Sequence, residues 1–578
     1  MTSFLTRATV LAVLALPVTL VAQQAEPWAA LRRPATRTPT PTTGDITVAD
    51  LQSRVYRFAA DSMQGRLMGT PGNVMGVEYI AAEMKRLGLE PAGENGTYFQ
   101  SLPWMDRKLD ETANIVAGGK TFRPWVDFVP RDQGTGERSI DGVPVVYAGD
   151  FADATKRLSA QDAVGKLVIV TFSGTFPGNP PHTPNRGLVN QAYPGAAGIA
   201  IVAREEIPAA TLAGYQQPSA FLMGEPSPPL PLYVYITRPM AEAMLGRPLA
   251  TAAPGTAGTP VRGTVKWSNT PSRSPARNVV AVLRGSDPRL RNSYVAIGAH
   301  NDHVGTGPAV ANDSMYIVNH LFRLQGADAA DPDLTSEQQA QVNAALAQVR
   351  RATNGASARV DTIFNGADDD ASGSMGVLEI AEYLATRTSR PKRSILFIWH
   401  VGEELGLFGS QYFTDHPTVP RDSIVAQLNV DMIGRGTADD VTGSTLQGEQ
   451  IRGNPDYVQL IGSRRVSTQL GDWAEVENRD GNHGLKFDYA LDANGHPQNI
   501  FCRSDHYMYA RYNIPIVFFT TGGHADYHQV TDEPQYLDYP HYARVTSFIA
   551  ALGVRVANSE ARPVVDKPRA DPNGRCQQ

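Results

Sequence analysis

The second half of this 578-residue chain predicts an α/β fold, a mixed, largely parallel central sheet flanked by helices. Three observations carry that prediction. Beyond residue 275, apolar strand-like runs alternate with helical ones, the pattern of a domain built on a largely parallel sheet. Long amphipathic stretches at 373–388 and 542–557 supply flanking helices. Several of the apolar runs also end in histidines and acids, and ligands gather at the carboxyl ends of strands in such sheets.

Taken from the start, residues 1–22 read as a secretory signal: one arginine, an apolar run from Val10 to Val21, then Ala22 and glutamines. That run is short for a membrane span, and no later stretch reaches the length of one. Residues 23–47 are rich in proline and threonine and read as a linker. The segment 48–124 opens with two helical stretches around a Gly/Pro loop, the second placing Val77, Ile80, Met84 and Leu87 at spacings of three and four. Residues 125–270 read as a separate, mostly β module, with strand-like runs at 142–149, 165–172, 198–203 and 231–236. The α/β domain spans 271–558, and 559–578 is a polar tail.

Composition narrows the function. A formal net charge of -6 and the lack of any basic stripe exclude a nucleic-acid partner. Only two cysteines are present, Cys502 and Cys576, and the sequence leaves open whether they pair.

The chemistry sits at the strand ends. The run 294–300 ends in His300; 394–400 leads to Glu403 and Glu404; 424–430 leads to Asp431; 514–520 leads to His528. Between the first two lies "GADDDASG", 366–373, three adjacent acids in a loop that enters a helix. A helix cap with exposed acids explains those three alone, and a lone histidine or acid pair is ordinarily structural. Five such coincidences along one sheet edge are harder to explain without a cation. Two imidazoles with several carboxylates suit zinc or a related divalent ion. The acids outnumber what one zinc takes, whereas two ions sharing a carboxylate would use them.

The motifs "GAHNDH", "GADDDASG", "VGEELGLFGS", "NVDMIG" and "DYHQVTDEP" occur in the order found in the co-catalytic zinc aminopeptidase family, which also holds glutamate carboxypeptidase and the transferrin receptor, and the chain resembles that family over about 275–555. The module 125–270 resembles the inserted protease-associated domain of its larger members, and the helical stretch before it resembles their preceding segment. The resemblance implies two zinc ions per chain. His300 and Asp431 would hold one, Glu404 and His528 the other, with Asp369 bridging. It implies that Asp302 orients His300, that Glu403 is the general base passing a proton from water to the leaving amine, and that Tyr527 supports the oxyanion. His524 lies beside the last motif too, and only the family's tyrosine–histidine pair prefers His528.

The activity so implied is removal of N-terminal residues from peptides by an exported enzyme, secreted or periplasmic, without stable membrane association once the signal is cleaved. Spare acids such as Asp368 and Asp370 suit a substrate ammonium. Carboxypeptidase or dipeptidase action is the alternative, since Arg435 and Arg503 equally suit a terminal carboxylate. A non-catalytic receptor and a mono-zinc glutaminyl cyclase fit less well, because the ligand positions are all filled. The insert between His300 and Asp369 reads as either a lid or part of the substrate wall.

Overall fold

A computed structural model describes residues 28–131, 138–176, 180–217, 219–223, 231–353 and 359–578. The segment read as a signal and the first linker residues lie outside these. The main sheet is built from β1 (Arg277–Leu283), β2 (Tyr294–His300), β3 (Ser394–His400), β4 (Ile424–Val430), β5 (Tyr457–Ile461), β6 (Lys486–Asp488) and β7 (Ile516–Thr520). Their order is β1-β3-β2-β4-β7-β5-β6, with the short strands Glu90–Pro91 and Phe99–Ser101 added against β1. The centre, β3-β2-β4-β7, is parallel, while β1 and β5 join it antiparallel. This is the mixed, largely parallel sheet the alternation of elements predicts.

The central strands are apolar throughout because both faces are covered. Along β3, Ile395, Phe397 and Trp399 enter one core and Leu396 and Ile398 the other. The first core is closed by α1 (Val48–Phe58), α2 (Pro71–Arg86), α5 (Ala371–Thr386), α6 (Thr468–Asp480) and α7 (Tyr539–Asn558). Two further helices, α3 (Asn312–Phe322) and α4 (Ser336–Ala352), form the insert between His300 and Asp369. They share a small core of Ile317, Val342, Ala345 and Val349, into which Trp28 and Leu31 of the proline-rich segment pack.

The segment expected as helical to residue 124 is helical only in part. Residues 104–109 and 114–117 are strands, pairing with 267–271 and 262–265. Each is six residues or fewer, too short for its period to stand out from a loop. The module between also carries a five-stranded sheet together with helices Arg186–Ala192, Ala209–Gln216 and Arg238–Leu245, so it is more helical than expected.

Cys502 and Cys576 form a disulfide, their Cα atoms 5.9 Å apart. It ties the C-terminal segment to the domain. No helix among the described residues is long and apolar enough to cross a membrane.

Candidate metal centre

The carboxyl ends of β2, β3, β4 and β7 open on one edge of the sheet, and α5 begins there. The loop before α5 is held from several sides. Gly366, at φ +55°, lies so close to the Asp369 carbonyl and the His303 ring that a Cβ would clash with both. Asp370 caps α5 by accepting from Gly373 N, and also accepts from the backbone of His300 and Met432. Asp532 accepts from Asp368 N and Asp369 N. From the N-terminal segment, the buried Arg66 guanidinium donates to the carbonyls of Asn365 and Gly366. Burial pulls that guanidinium down to about 10. Of the three adjacent acids, Asp369 is the one left to join the side chains at the strand ends.

Two groups able to hold a metal ion result, and they share Asp369: His300, Asp369 and Asp431; and His303, Asp369, Glu404 and His528. Asp369 Oδ1 lies 3.1 Å from His300 Nε2, and its Oδ2 lies 3.0 Å from His528 Nε2. His300 Nε2 is 3.6 Å from Asp431 Oδ1, and His528 Nε2 is 2.9 Å from Glu404 Oε2. His303 Nδ1 is 2.7 Å from Glu404 Oε1. The five residues expected as ligands therefore come together, and His303 joins them. Although "GAHNDH" contains it, nothing in spacing alone distinguishes His303 from a loop residue.

The donor chemistry fits a divalent ion. His300 Nε2, His303 Nε2 and His528 Nε2 are buried without a hydrogen-bond partner, an arrangement that a ligand would relieve. The carboxylates give the site a negative potential. Against the cost of burial, Asp369 and Glu404 hold the His528 imidazole up to about 10, while Asp369 itself is kept well below the usual carboxylate range by His300 and His528.

Around these donors the other expected residues take distinct places. His300 Nδ1 lies 3.1 Å from the Asp302 carbonyl oxygen and 3.6 Å from its carboxylate, whose Oδ1 accepts from Glu403 N. Asp302 thus touches both the histidine and the glutamate pair. Ser504 Oγ donates to Asp431 Oδ2 at 2.6 Å. Tyr527 stacks on His528, ring centroids 3.9 Å apart. Burial pushes the Glu403 carboxyl up, and so do the neighbouring carboxylates Asp431, Glu404 and Asp505, with His300 opposing them.

A narrow cavity of about 80 Å³ opens on this cluster. Asp369, Glu403, Asp431 and Tyr527 face it, with Met432, Leu491, Ile500 and Phe518 as an apolar wall and Asp328 and Arg503 beside them. A wider groove of about 940 Å³ lies between α5, α6 and α7, lined by residues such as Tyr383 and Trp473, and none of the metal donors reaches it.

Three expectations need correction. Asp368 is buried and committed: its carboxylate accepts from Gly434 N and Ser372 Oγ, so it is not spare. Asp370 is the helix cap described above. Arg435 is buried and paired with Asp440 and Asp526, and it does not line the cavity. His524, the neighbour passed over in favour of His528, pairs with Asp368 at 3.4 Å and stays outside both donor groups. The insert belongs to the wall. Its α3 grips the loop that carries His528, through His320 to Asp526 at 2.9 Å and Arg323 to the Ala525 carbonyl at 2.6 Å, and the following turn supplies Asp328.

Part of the chain matches known proteins. Residues 352–553 match the model of Peptidase family M28. Leupeptin-inactivating enzyme 1 of Streptomyces exfoliatus is 38% identical over 82 residues, 14% of this chain and 19% of that protein. A probable leucine aminopeptidase of Arthroderma otae is 40% identical over 75 residues, 12% of this chain and 21% of that protein. These alignments span about a fifth of each relative's length. Among solved structures, a zinc aminopeptidase from Bacillus subtilis superposes with a TM-score of 0.43 at 14% identity, over 92% of this chain and all of that one. The stretch that matches this family's model, residues 352–553, carries Asp369, Glu404, Asp431, His528 and the adjacent Glu403.

Proposed function

We propose that the chain is an exported, zinc-dependent exopeptidase that removes N-terminal residues from peptides, with two zinc ions per chain. One observation carries the reading: two donor groups share Asp369 on the floor of a cavity that Glu403 also faces. His300 and Asp431 would hold one ion, Glu404 and His528 the other, with His303 at the second group. Zinc bound there supplies a Lewis acid that polarises a peptide carbonyl and acidifies water.

The chain's own residues do the rest. Glu403, which faces the cavity beside Asp369 and Asp431, would take a proton from water and deliver it to the leaving amine. Asp302 holds His300 and the Glu403 backbone in register. Tyr527 lines the cavity, where its hydroxyl would donate to the developing oxyanion.

Among the residues lining the cavity the one cation, Arg503, is already forked onto Asp328 and so is not free to hold a terminal carboxylate, which supports attack from the amino end over the carboxyl end. The Cys502–Cys576 disulfide suits an oxidising compartment and so supports export. The module between about 125 and 270 is assigned as a protease-associated domain.

The test is to incubate the protein, with zinc and again with chelator, with an unblocked peptide and its N-acetylated twin, and to weigh the products. Chelator-sensitive shortening of only the unblocked peptide, from its amino end, is expected. Loss from the carboxyl end would overturn the aminopeptidase assignment, and no cleavage together with no bound zinc would overturn the hydrolase reading.

A further inference from the structure

Arg503 and Asp328 are the two charged groups in the cavity with no place in the chemistry above. Arg503 Nη1 donates to Asp328 Oδ2 at 2.7 Å and Nη2 to Asp328 Oδ1 at 3.0 Å, a two-pronged fork. Such a fork fixes the plane of a guanidinium as well as its position. Its side chains are 37% and 48% exposed, so the pair adds little to stability, on the order of 0–1 kcal/mol. A pair that is weak in energy and strict in geometry is suited to aiming something.

Both of its ends are anchored. Arg503 lies between Cys502, in the disulfide, and Ser504, which donates to the candidate ligand Asp431. Asp328 lies between two residues whose carbonyls accept from Arg323, the side chain that also grips the Ala525 carbonyl. What the fork aims at is the phenol beside it. Arg503 and Tyr527 line the same narrow cavity as Asp369 and Glu403, and the Tyr527 ring is stacked on His528.

We propose that Arg503, held by Asp328 of the insert, is a positioning residue that orients the Tyr527 hydroxyl over the metal centre. The inference rests on the peptidase reading. It assigns the insert a task in turnover: Asp328 fixes Arg503, Arg503 fixes Tyr527, and Tyr527 meets the oxyanion. The guanidinium acts through the phenol and does not touch substrate.

The experiment is a double-mutant cycle on the zinc-loaded full chain, with the peptide found to be cleaved above. Tyr527→Phe removes one oxyanion donor and should lower kcat about 100-fold. Arg503→Met should lower kcat comparably, with KM and zinc content unchanged, and Asp328→Asn should do so more mildly. Combined with Tyr527→Phe, Arg503→Met should change kcat by less than about twofold, since residues acting as one unit are not additive. Arg503→Lys, which lacks the fork, should not rescue. A crystal structure of Arg503→Met should show the Tyr527 ring off its stack on His528. Independent multiplication of the two effects, a change confined to KM, or an unmoved Tyr527 ring would each overturn the proposal. Wild-type activity, measured in the same assay, tests the peptidase reading separately.

Discussion

Replacing Arg54 with methionine should destabilise the fold far more than an average surface change, and increasingly so as pH rises. Arg54 is 1% exposed and joins α1 to α5: its Nε donates to Glu379 at 2.7 Å, its Nη1 to Glu83 at 3.1 Å, and its Nη2 to Glu382. Methionine fills most of the space but leaves Glu379 and Glu382 buried against it. Breaking a buried ion pair from one side costs about 3–5 kcal/mol.

The pH dependence follows from Glu379. Burial pushes its carboxyl from 4.5 up to about 7, although Arg54 pulls the other way. A carboxyl raised on folding keeps its proton longer in the native state. Stability is therefore greatest below the unfolded value and declines as pH rises towards the folded one, by about 1.4 kcal/mol per pH unit. In the wild type that decline ends near pH 7. Without Arg54 the folded value moves higher, and the decline continues to higher pH. Urea unfolding in chelator at about pH 6 and about pH 8 should then show a deficit larger at the higher pH by about 1.4 kcal/mol per carboxyl affected. A deficit below about 1 kcal/mol, or one equal at both pH values, would refute the reasoning.

Three further outcomes are expected. Glu403→Gln should lower kcat by about 100- to 10,000-fold while zinc content, measured by atomic absorption, is retained; retained activity would remove Glu403 as the base. His303→Ala should weaken zinc binding about 10- to 100-fold in competition against a chromogenic chelator, because His303 contacts Glu404 directly. Asp532→Ala strips the acceptor from the amides of Asp368 and Asp369, and calorimetry should register a loss of about 3 kcal/mol together with weaker zinc retention.

Strands β1 to β4 and β7 were legible in the sequence because they are apolar runs bounded by glycine or polar residues, whereas the short β5 and β6 and the order of strands across the sheet were not. Their terminal residues were legible for the same reason, since an imidazole after "YVAIGA" has no place in a neutral core. What lay beyond reading was long-range. Arg435 directly follows the motif "NVDMIG", and only the fold shows Asp526 meeting it from 91 residues away. Asp368 and Asp370 look as free as Asp369 until Ser372, Gly434 and Met432 are seen to hold them. The pairing of Cys502 with Cys576 spans 74 residues. Asp328 had no signal, because its partner Arg503 is 175 residues on.

The proline-rich stretch ahead of α1 behaves as more than a spacer. Trp28 and Leu31 complete the small core of the insert, Arg33 donates to the Gln535 carbonyl, and Thr42 donates to Glu382 on α5. One extended segment thus spans the cavity wall and the helix that opens with the metal loop. Proline suits this task, since a chain already stiff when unfolded surrenders less entropy on being laid down. Two parts that would otherwise breathe separately are thereby made to breathe together. Cutting that segment should leave the sheet intact while the wall loosens, so that warming would abolish turnover before the domain melts.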